Sequence, residues 1–278
     1  MNRIDLHIHS TASDGYLSVE KILKLVAGKE YDTISITDHD TINGYLEAKK
    51  IGENYRTNII AGVEISSLYN DVDVHILAYL FDETNAELLE LLEFIKNERL
   101  VRAKKIIEKL AKLGMIVELE RIYKIAGNDG LIGRPHFAQA LLDLNYVRTL
   151  RQAFDDFLGD DGPCFQAKII PDPQKVIEII HNAGGIAVVA HPNRLPDVNI
   201  LQDLIQMGID GLEVFMKNYN YYPQEHEMFK EIAAKNNLLM TGGTDFHGKD
   251  YEIENFGKFS LEKIYLDKLI KFKENKNG

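Results

Sequence analysis

Seven short apolar segments alternate with helical patterns along this 278-residue chain, and that alternation restricts its fold more than any other feature. The segments are Arg3–His9, Thr33–Thr37, Asn58–Ile65, Val72–Phe81, Gly185–Ala190, Gly211–Phe215 and Leu238–Thr241. Helical periodicity runs through Ser18–Ala27, Gly44–Asn54, Pro173–Asn182, Ile200–Met207 and Tyr222–Lys235. Strand–helix–strand alternation implies a parallel sheet, and seven such strands imply a closed or nearly closed α/β barrel with its site at the C-terminal rim. One connection departs from this rule. Only residues 66–71 separate the third and fourth segments, whereas a parallel crossover needs roughly a dozen residues. These two are expected to form an antiparallel hairpin, which would bring His75, early in the fourth, to Glu64, late in the third.

Residues 84–170 read differently, with long helical periodicity in Ala86–Leu113 and Pro135–Leu144 and a loop-rich stretch through Gly159–Pro163. The expected organisation is one barrel domain of residues 1–83 and 171–278, interrupted by a mainly helical subdomain at 84–170. Lys271–Gly278 is expected to be a frayed tail. With 45% hydrophobic residues, the chain can bury a substantial core. Met1–Leu6 carries no apolar run of signal-peptide length, and no stretch approaches twenty apolar residues, so a cytoplasmic, membrane-free protein is expected. One cysteine, Cys164, permits no internal disulfide. The net charge of -11 disfavours an electrostatic grip on duplex nucleic acid.

Six of the nine histidines stand at or near segment ends, most of them beside carboxylates: Asp5-Leu6-His7-Ile8-His9, Thr37-Asp38-His39-Asp40, His75, Ala190-His191-Pro192 and Thr244-Asp245-Phe246-His247. With Asp14 in Ser13-Asp14-Gly15 and Glu64 in Gly62-Val63-Glu64 they make nine candidate metal ligands: His7, His9, Asp14, His39, Glu64, His75, His191, Asp245 and His247. Imidazole nitrogen and carboxylate oxygen suit manganese, iron and zinc alike, and the absence of further thiols excludes a sulfur-rich structural zinc site. His7 and His9 alternate with Ile4, Leu6 and Ile8, so a strand turns both imidazoles to one side. Glu64 ends an apolar run, where a carboxylate is costly unless paired, protonated or metal-bound. Asp14-Gly15 also reads as a turn, and Asp40 or Thr41 as a cap for the helix near Gly44. His181 and His226 fit helix surfaces and carry no assigned role.

These motifs, kept in order over nearly the whole chain, resemble the PHP (polymerase and histidinol phosphatase) metallophosphoesterases. The resemblance implies a distorted (β/α)7 barrel and three divalent ions. By analogy one ion would take His7, His9, Glu64 and Asp245, a second Glu64, His75 and His191, and a third Asp14, His39 and His247. Three such ions bring six positive charges against three from Asp14, Glu64 and Asp245, so the site would stay cationic within an acidic protein. Gly133-Arg134-Pro135-His136, and Gly211–Phe215 ahead of Gly242–His247, are similar to stand-alone bacterial members that act on nucleotides such as 3',5'-bisphosphates, some of which trim short RNA from the 5' end. The same likeness implies phosphate contacts for Arg134 and His136, which otherwise fit a helix N-terminus with Pro135 in its first turn. Arg194 and Tyr219 are further candidate substrate contacts; the tyrosines of 216–222 can stack on a base or pack the insertion.

The expected chemistry is hydrolysis of a nucleotide phosphomonoester by metal-activated hydroxide, with His7, His9, Glu64, His191, Asp245 and His247 closest to the reaction. Histidinol-phosphate hydrolysis, 5'-to-3' exonuclease action and a non-catalytic module are the alternatives. Oligomeric state and base preference are left open by these residues.

Overall fold

The computed structural model describes residues 3–127, 132–216 and 223–276. Among the described residues eight strands form two sheets. β1 (Arg3–Ile8), β2 (Tyr31–Ile36) and β3 (Asn58–Ile59) make a parallel sheet in that order. β4 (Gly62–Tyr69), β5 (Val72–Tyr79), β6 (Ile186–Val189), β7 (Gly211–Met216) and β8 (Leu239–Gly243) make the second sheet. The expected third strand, Asn58–Ile65, is broken at Ile60–Ala61, where the chain leaves one sheet for the other. There Ile60 N–H bonds to Ile34 O, while Ala61 O accepts from Leu80 N–H.

β4 and β5 form the antiparallel hairpin, with Ser66 opposite His75. Because β5 is reversed, its pairing with β6 is antiparallel too, and only β6–β7–β8 continue the parallel pattern. The two sheets meet edge to edge at two seams. His9 N–H bonds to Phe246 O (2.8 Å) beyond β8 at one, and Asp40 N–H to Glu64 O (2.8 Å) at the other. A closed barrel ladder is thus replaced by two sheets stitched at the rim.

The helices between strands fall close to where periodicity places them: α1 (Val19–Gly28), α2 (Asn43–Ile51), α7 (Pro173–Asn182), α8 (Asn199–Gln206) and α9 (Pro223–Lys235). Ser18 caps α1 by accepting Lys21 N–H, and Asp172 caps α7 through Lys175 N–H. Val176, Ile180, Leu201, Leu204 and Phe229 from these helices pack on Val63, Ile65, Val74, Ile76, Val189 and Leu212 of the sheet. Each such side chain contributes on the order of 1.5–3 kcal/mol by leaving water. α3 (Ala86–Lys112), α4 (Leu119–Ala126), α5 (Arg134–Asp143) and α6 (Leu150–Ala153) follow β5 and bury their own cluster around Ile106, Leu110, Ile122, Phe137 and Leu141, with Cys164 inside it. Among the described residues no helix is long and apolar enough to cross a membrane.

The C-terminal stretch corrects the expectation of a frayed tail. After the short α10 (Asp250–Asn255), α11 (Lys263–Lys276) is helical to Lys276, because Leu266 and Leu269 enter the core and two lysines are tied down. Lys273 Nζ donates to Gly184 O (2.5 Å) and Lys276 Nζ to Asp210 Oδ1 (3.1 Å). Asp210 also accepts from Ala187 N–H (2.9 Å) and faces His181 Nε2 at 2.8 Å. Burial opposes its ionisation, but His181, Ala187 N–H and Lys276 hold its pKa below the usual carboxylate value. A depressed folded-state pKa stabilises the fold above the unfolded carboxylate value and loses that effect as pH falls through the folded one. Asp210→Asn is expected to cost about 1.5–3 kcal/mol at pH 7. Urea unfolding should show that difference shrinking below about pH 4; a difference independent of pH would refute the ionic origin.

Candidate metal centre

β1 turns His7 to the side opposite Leu6 and Ile8, and His9 follows at the rim, so the two Nε2 atoms meet at 3.1 Å. Glu64 comes to the same place from β4. Its Oε2 lies 3.2 Å from both His7 Nε2 and His9 Nε2 and 3.3 Å from His39 Nδ1, and its Oε1 lies 2.9 Å from His75 Nδ1 and from His191 Nε2. The hairpin delivers the expected meeting of Glu64 and His75. Asp245, just after β8, places Oδ1 3.2 Å from His9 Nε2 and 3.5 Å from His7 Nε2. Asp14 Oδ2 lies 3.3 Å from His247 Nε2 and 3.8 Å from His39 Nε2, and its Oδ1 lies 3.6 Å from His9 Nδ1.

Eight of the nine sequence-derived donors therefore fall in three overlapping groups, His7, His9, Glu64 and Asp245; His9, Asp14, His39 and His247; and His39, Glu64 and His75, and the ninth, His191, joins through Glu64 Oε1 at 2.9 Å. The grouping differs from the analogy in detail. His9 also joins the Asp14 group, and His191 is linked to His75 through Glu64 Oε1 instead of forming a compact triple with them.

The buried donors shift one another's protonation. Burial opposes protonation of His9, yet hydrogen bonds to Asp245 and Glu64 and the charge of Asp14 lift its pKa to about 10. His7 is raised likewise, against burial, by Glu213, Glu64 and Asp245. Burial, with His9 and His75 nearby, pushes His39 down to about 4. Glu64 and Asp245 stay ionised against their burial because imidazoles surround them.

The residues fit divalent ions. His9 Nδ1 and His39 Nδ1 are buried without a hydrogen bond, a condition that costs roughly 1–3 kcal/mol per atom unless something else satisfies it. Donor spacings of 2.9–3.8 Å match the ~3–3.5 Å separation of nitrogen and oxygen ligands held about 2.0–2.2 Å from one ion. Cations would compete with protons for these imidazole nitrogens.

The backbone behind the donors is strained and fastened. Asp40, His191 and Asp245, none of them glycine, have φ of 50°, 28° and 49°, a left-handed conformation that persists only where the surroundings enforce it. Asp40 caps nothing. Its carboxylate accepts Ser66 N–H (2.7 Å) and binds Arg99 Nη2 (2.5 Å), while Thr41 Oγ1 accepts Asn43 N–H. Asp5 accepts Thr244 N–H (2.9 Å), and burial, only partly offset by Thr244, pushes its pKa up to about 6. Asp38 accepts Ser10 N–H (2.7 Å) and Ser13 Oγ–H (2.6 Å), and Glu252 accepts His247 N–H (2.8 Å). Glu213, unassigned by the sequence reading, faces His7 Nδ1 at 2.8 Å. Its signal was a lone carboxylate in an apolar strand. Arg99 had none, since it stands in a charged helix.

The candidate substrate contacts are less uniform. Arg134 and His136 open α5, with Pro135 in the first turn as helix-start chemistry predicts; His136 Nδ1 accepts Gly133 N–H (3.0 Å), and His136 is close enough to sense Asp14 and Arg99. Arg134 Nη1 is engaged by Asp160 Oδ1 (2.7 Å) and Leu158 O (3.2 Å). Arg194 reaches the cluster, donating to Asp245 Oδ2 (2.5 Å) from a mostly exposed position. Tyr219 lies outside the described residues. His226, expected on a helix surface, is buried, with Nδ1 2.5 Å from Val214 O.

A PHP-domain family model matches residues 5–110. The 5'-3' exoribonuclease of Haemophilus influenzae is 33% identical over 250 residues, 88% of this chain and 90% of that one. The chain belongs to the PHP family. Two further relatives are each 28% identical: a phosphoribosyl 1,2-cyclic phosphate 1,2-diphosphodiesterase of Eggerthella lenta (91% of this chain, 97% of that one) and a 3',5'-nucleoside bisphosphate phosphatase of Chromobacterium violaceum (89% and 88%). A crystal structure from Bifidobacterium adolescentis, assigned as a candidate metal-dependent phosphoesterase, superposes with a TM-score of 0.76 at 29% identity, covering 95% of this chain and 98% of that one. This PHP protein is accordingly a metal-dependent phosphoesterase, a hydrolase, and the non-catalytic reading falls away.

Proposed function

We propose that this PHP protein hydrolyses a phosphomonoester of a nucleotide, with nucleoside 3',5'-bisphosphates as preferred substrates and short 5'-phosphorylated RNA as a second class. The observation that carries the reading is Glu64, within 2.9–3.3 Å of five imidazoles, beside a helical segment whose Arg99 and His136 border the same cluster. The residues would hold three ions: His7, His9, Glu64 and Asp245 one, Glu64, His75 and His191 another, Asp14, His39 and His247 the third. Manganese, iron and zinc all suit the donors. Such ions activate water near neutral pH and neutralise phosphoryl oxygens.

The protein's own part is placement. Glu64 spans the first two groups, so it fixes their separation. Arg194, now on Asp245, and Arg134, now on Asp160, are long cations that can exchange those partners for phosphate oxygens. His136 sits at a helix N-terminus, where an anion is favoured. The RNA reading draws support from the exoribonuclease relative, and the acidic surface limits it to short single strands. We read the two sheets as a distorted (β/α)7 barrel, counting β3 and β4 as one interrupted strand. We read residues 84–170 as an inserted subdomain, supported by the separate core around Phe137.

Hydrolysis by manganese-loaded protein tests the reading, with phosphate release from adenosine 3',5'-bisphosphate and from histidinol phosphate and mononucleotide release from a short 5'-phosphorylated RNA followed side by side. The bisphosphate should be preferred in kcat/KM, with that activity lost in His247→Ala. Preference for histidinol phosphate would overturn the nucleotide assignment.

A further inference from the structure

Glu213 lies fully buried in β7, within Gly211-Leu212-Glu213-Val214-Phe215, where a carboxylate is costly unless both oxygens are satisfied. Both are. Oε1 is 2.8 Å from His7 Nδ1, and Oε2 accepts His191 N–H at 2.8 Å. A carboxylate only accepts, so the proton of that first contact sits on His7 Nδ1, which leaves the lone pair of a neutral His7 on Nε2. Nε2 is the atom that faces His9, Glu64 and Asp245. The second bond holds the main chain of His191 at φ 28°, ψ 62°, a conformation rare for any residue with a side chain.

Glu213 is itself aimed by a bulge. β7 pairs Glu213 with Thr241 and Phe215 with Gly242, leaving Val214 as the extra residue, and the buried His226 donates from Nδ1 to Val214 O at 2.5 Å. Bulges of this kind redirect a neighbouring side chain. β8, the edge strand beside β7, after which Phe246 bridges to Ile8 of β1, has glycine at 242 and 243 and so sets no side chain at those positions.

We propose that Glu213 is a positioning residue for the metal centre: one carboxylate sets the tautomer of His7 and the strained main chain of His191, so that two donors from separate strands face Glu64 together. The proposal rests on the nine-residue cluster holding divalent ions and is independent of which phosphoester is cleaved.

Glu213→Gln is nearly isosteric but supplies one accepting end in place of two. With its oxygen on His191 N–H, its amide group faces His7 Nδ1 and favours the other tautomer. Manganese affinity, measured by calorimetric titration of the folded, metal-stripped protein, is expected to fall about 10–100-fold. In zinc-loaded protein a proton on His7 Nδ1, seen by 1H–15N correlation, should be present in the wild type and lost in the variant. A merely structural role would leave that proton in place. The proposal is overturned if the zinc-loaded wild type has no proton on His7 Nδ1, or if the variant binds manganese within twofold of wild type. Should Glu213→Gln not fold, absence of that proton from the wild-type spectrum still overturns the proposal.

Discussion

Replacing Glu64 by alanine is expected to remove metal retention and phosphate release together. Its carboxylate is the common neighbour of His7, His9, His39, His75 and His191, and among the described residues no other touches all five. Without it the imidazoles lose the anion that sustains the raised pKa of His7 and His9, and they crowd one another around a vacated centre. Loss of a supporting partner behind a ligand typically costs 10–100-fold in affinity or activity, so loss of this shared donor should exceed about 100-fold in both. Metal content by plasma emission beside phosphate release checks the expectation. A variant that kept its ions and activity within about tenfold would show that Glu64 is not a ligand. Glu64→Gln, which preserves volume, separates charge from packing.

Gly243→Ala should be strongly destabilising. The new Cβ would lie 2.3 Å from His7 Cβ and 2.5 Å from His7 N, and backbone cannot swing aside as a flexible side-chain end can. Overpacking of this kind costs about 1–3 kcal/mol, and the rigid neighbour places this case at or above the upper figure. Urea unfolding will register it. Gly28→Ala is the matched control, because its Cβ would enter open space at the end of α1; there the helix preference of alanine should make the change neutral or stabilising by up to about 1 kcal/mol. Equal effects at the two positions would show that β1 and β8 are not in close contact.

What could be read from the chain alone followed from contrast. Glu64 at the end of an apolar run, or His7 and His9 alternating with Leu6 and Ile8, stand out because a polar group in such a setting needs a partner. The hairpin was legible from chain length, since six residues cannot make a parallel crossover. The break at Ile60–Ala61 was not, because nothing local marks a change of sheet; hydrogen bonds to Ile34 and Leu80 impose it. Arg99 escaped for the opposite reason. In a helix rich in Lys, Arg and Glu its charge looks like solvated surface, and only the fold brings it to Asp40, 59 positions earlier. His226 and the C-terminal lysines were misjudged alike: their burial or tethering depends on Val214, Gly184 and Asp210, which periodicity does not connect to them.

Both seams between the sheets are stitched at residues that carry or adjoin the donors: His9 to Phe246, between Asp245 and His247, and Asp40 to Glu64. A slip of one residue at either seam would turn the donors on one side to face away. Catalytic competence is therefore a readout of correct closure: a molecule with one seam misjoined keeps most of its helices and core but has no site. For a folding population, phosphate release would count only the chains that have joined both edges in register.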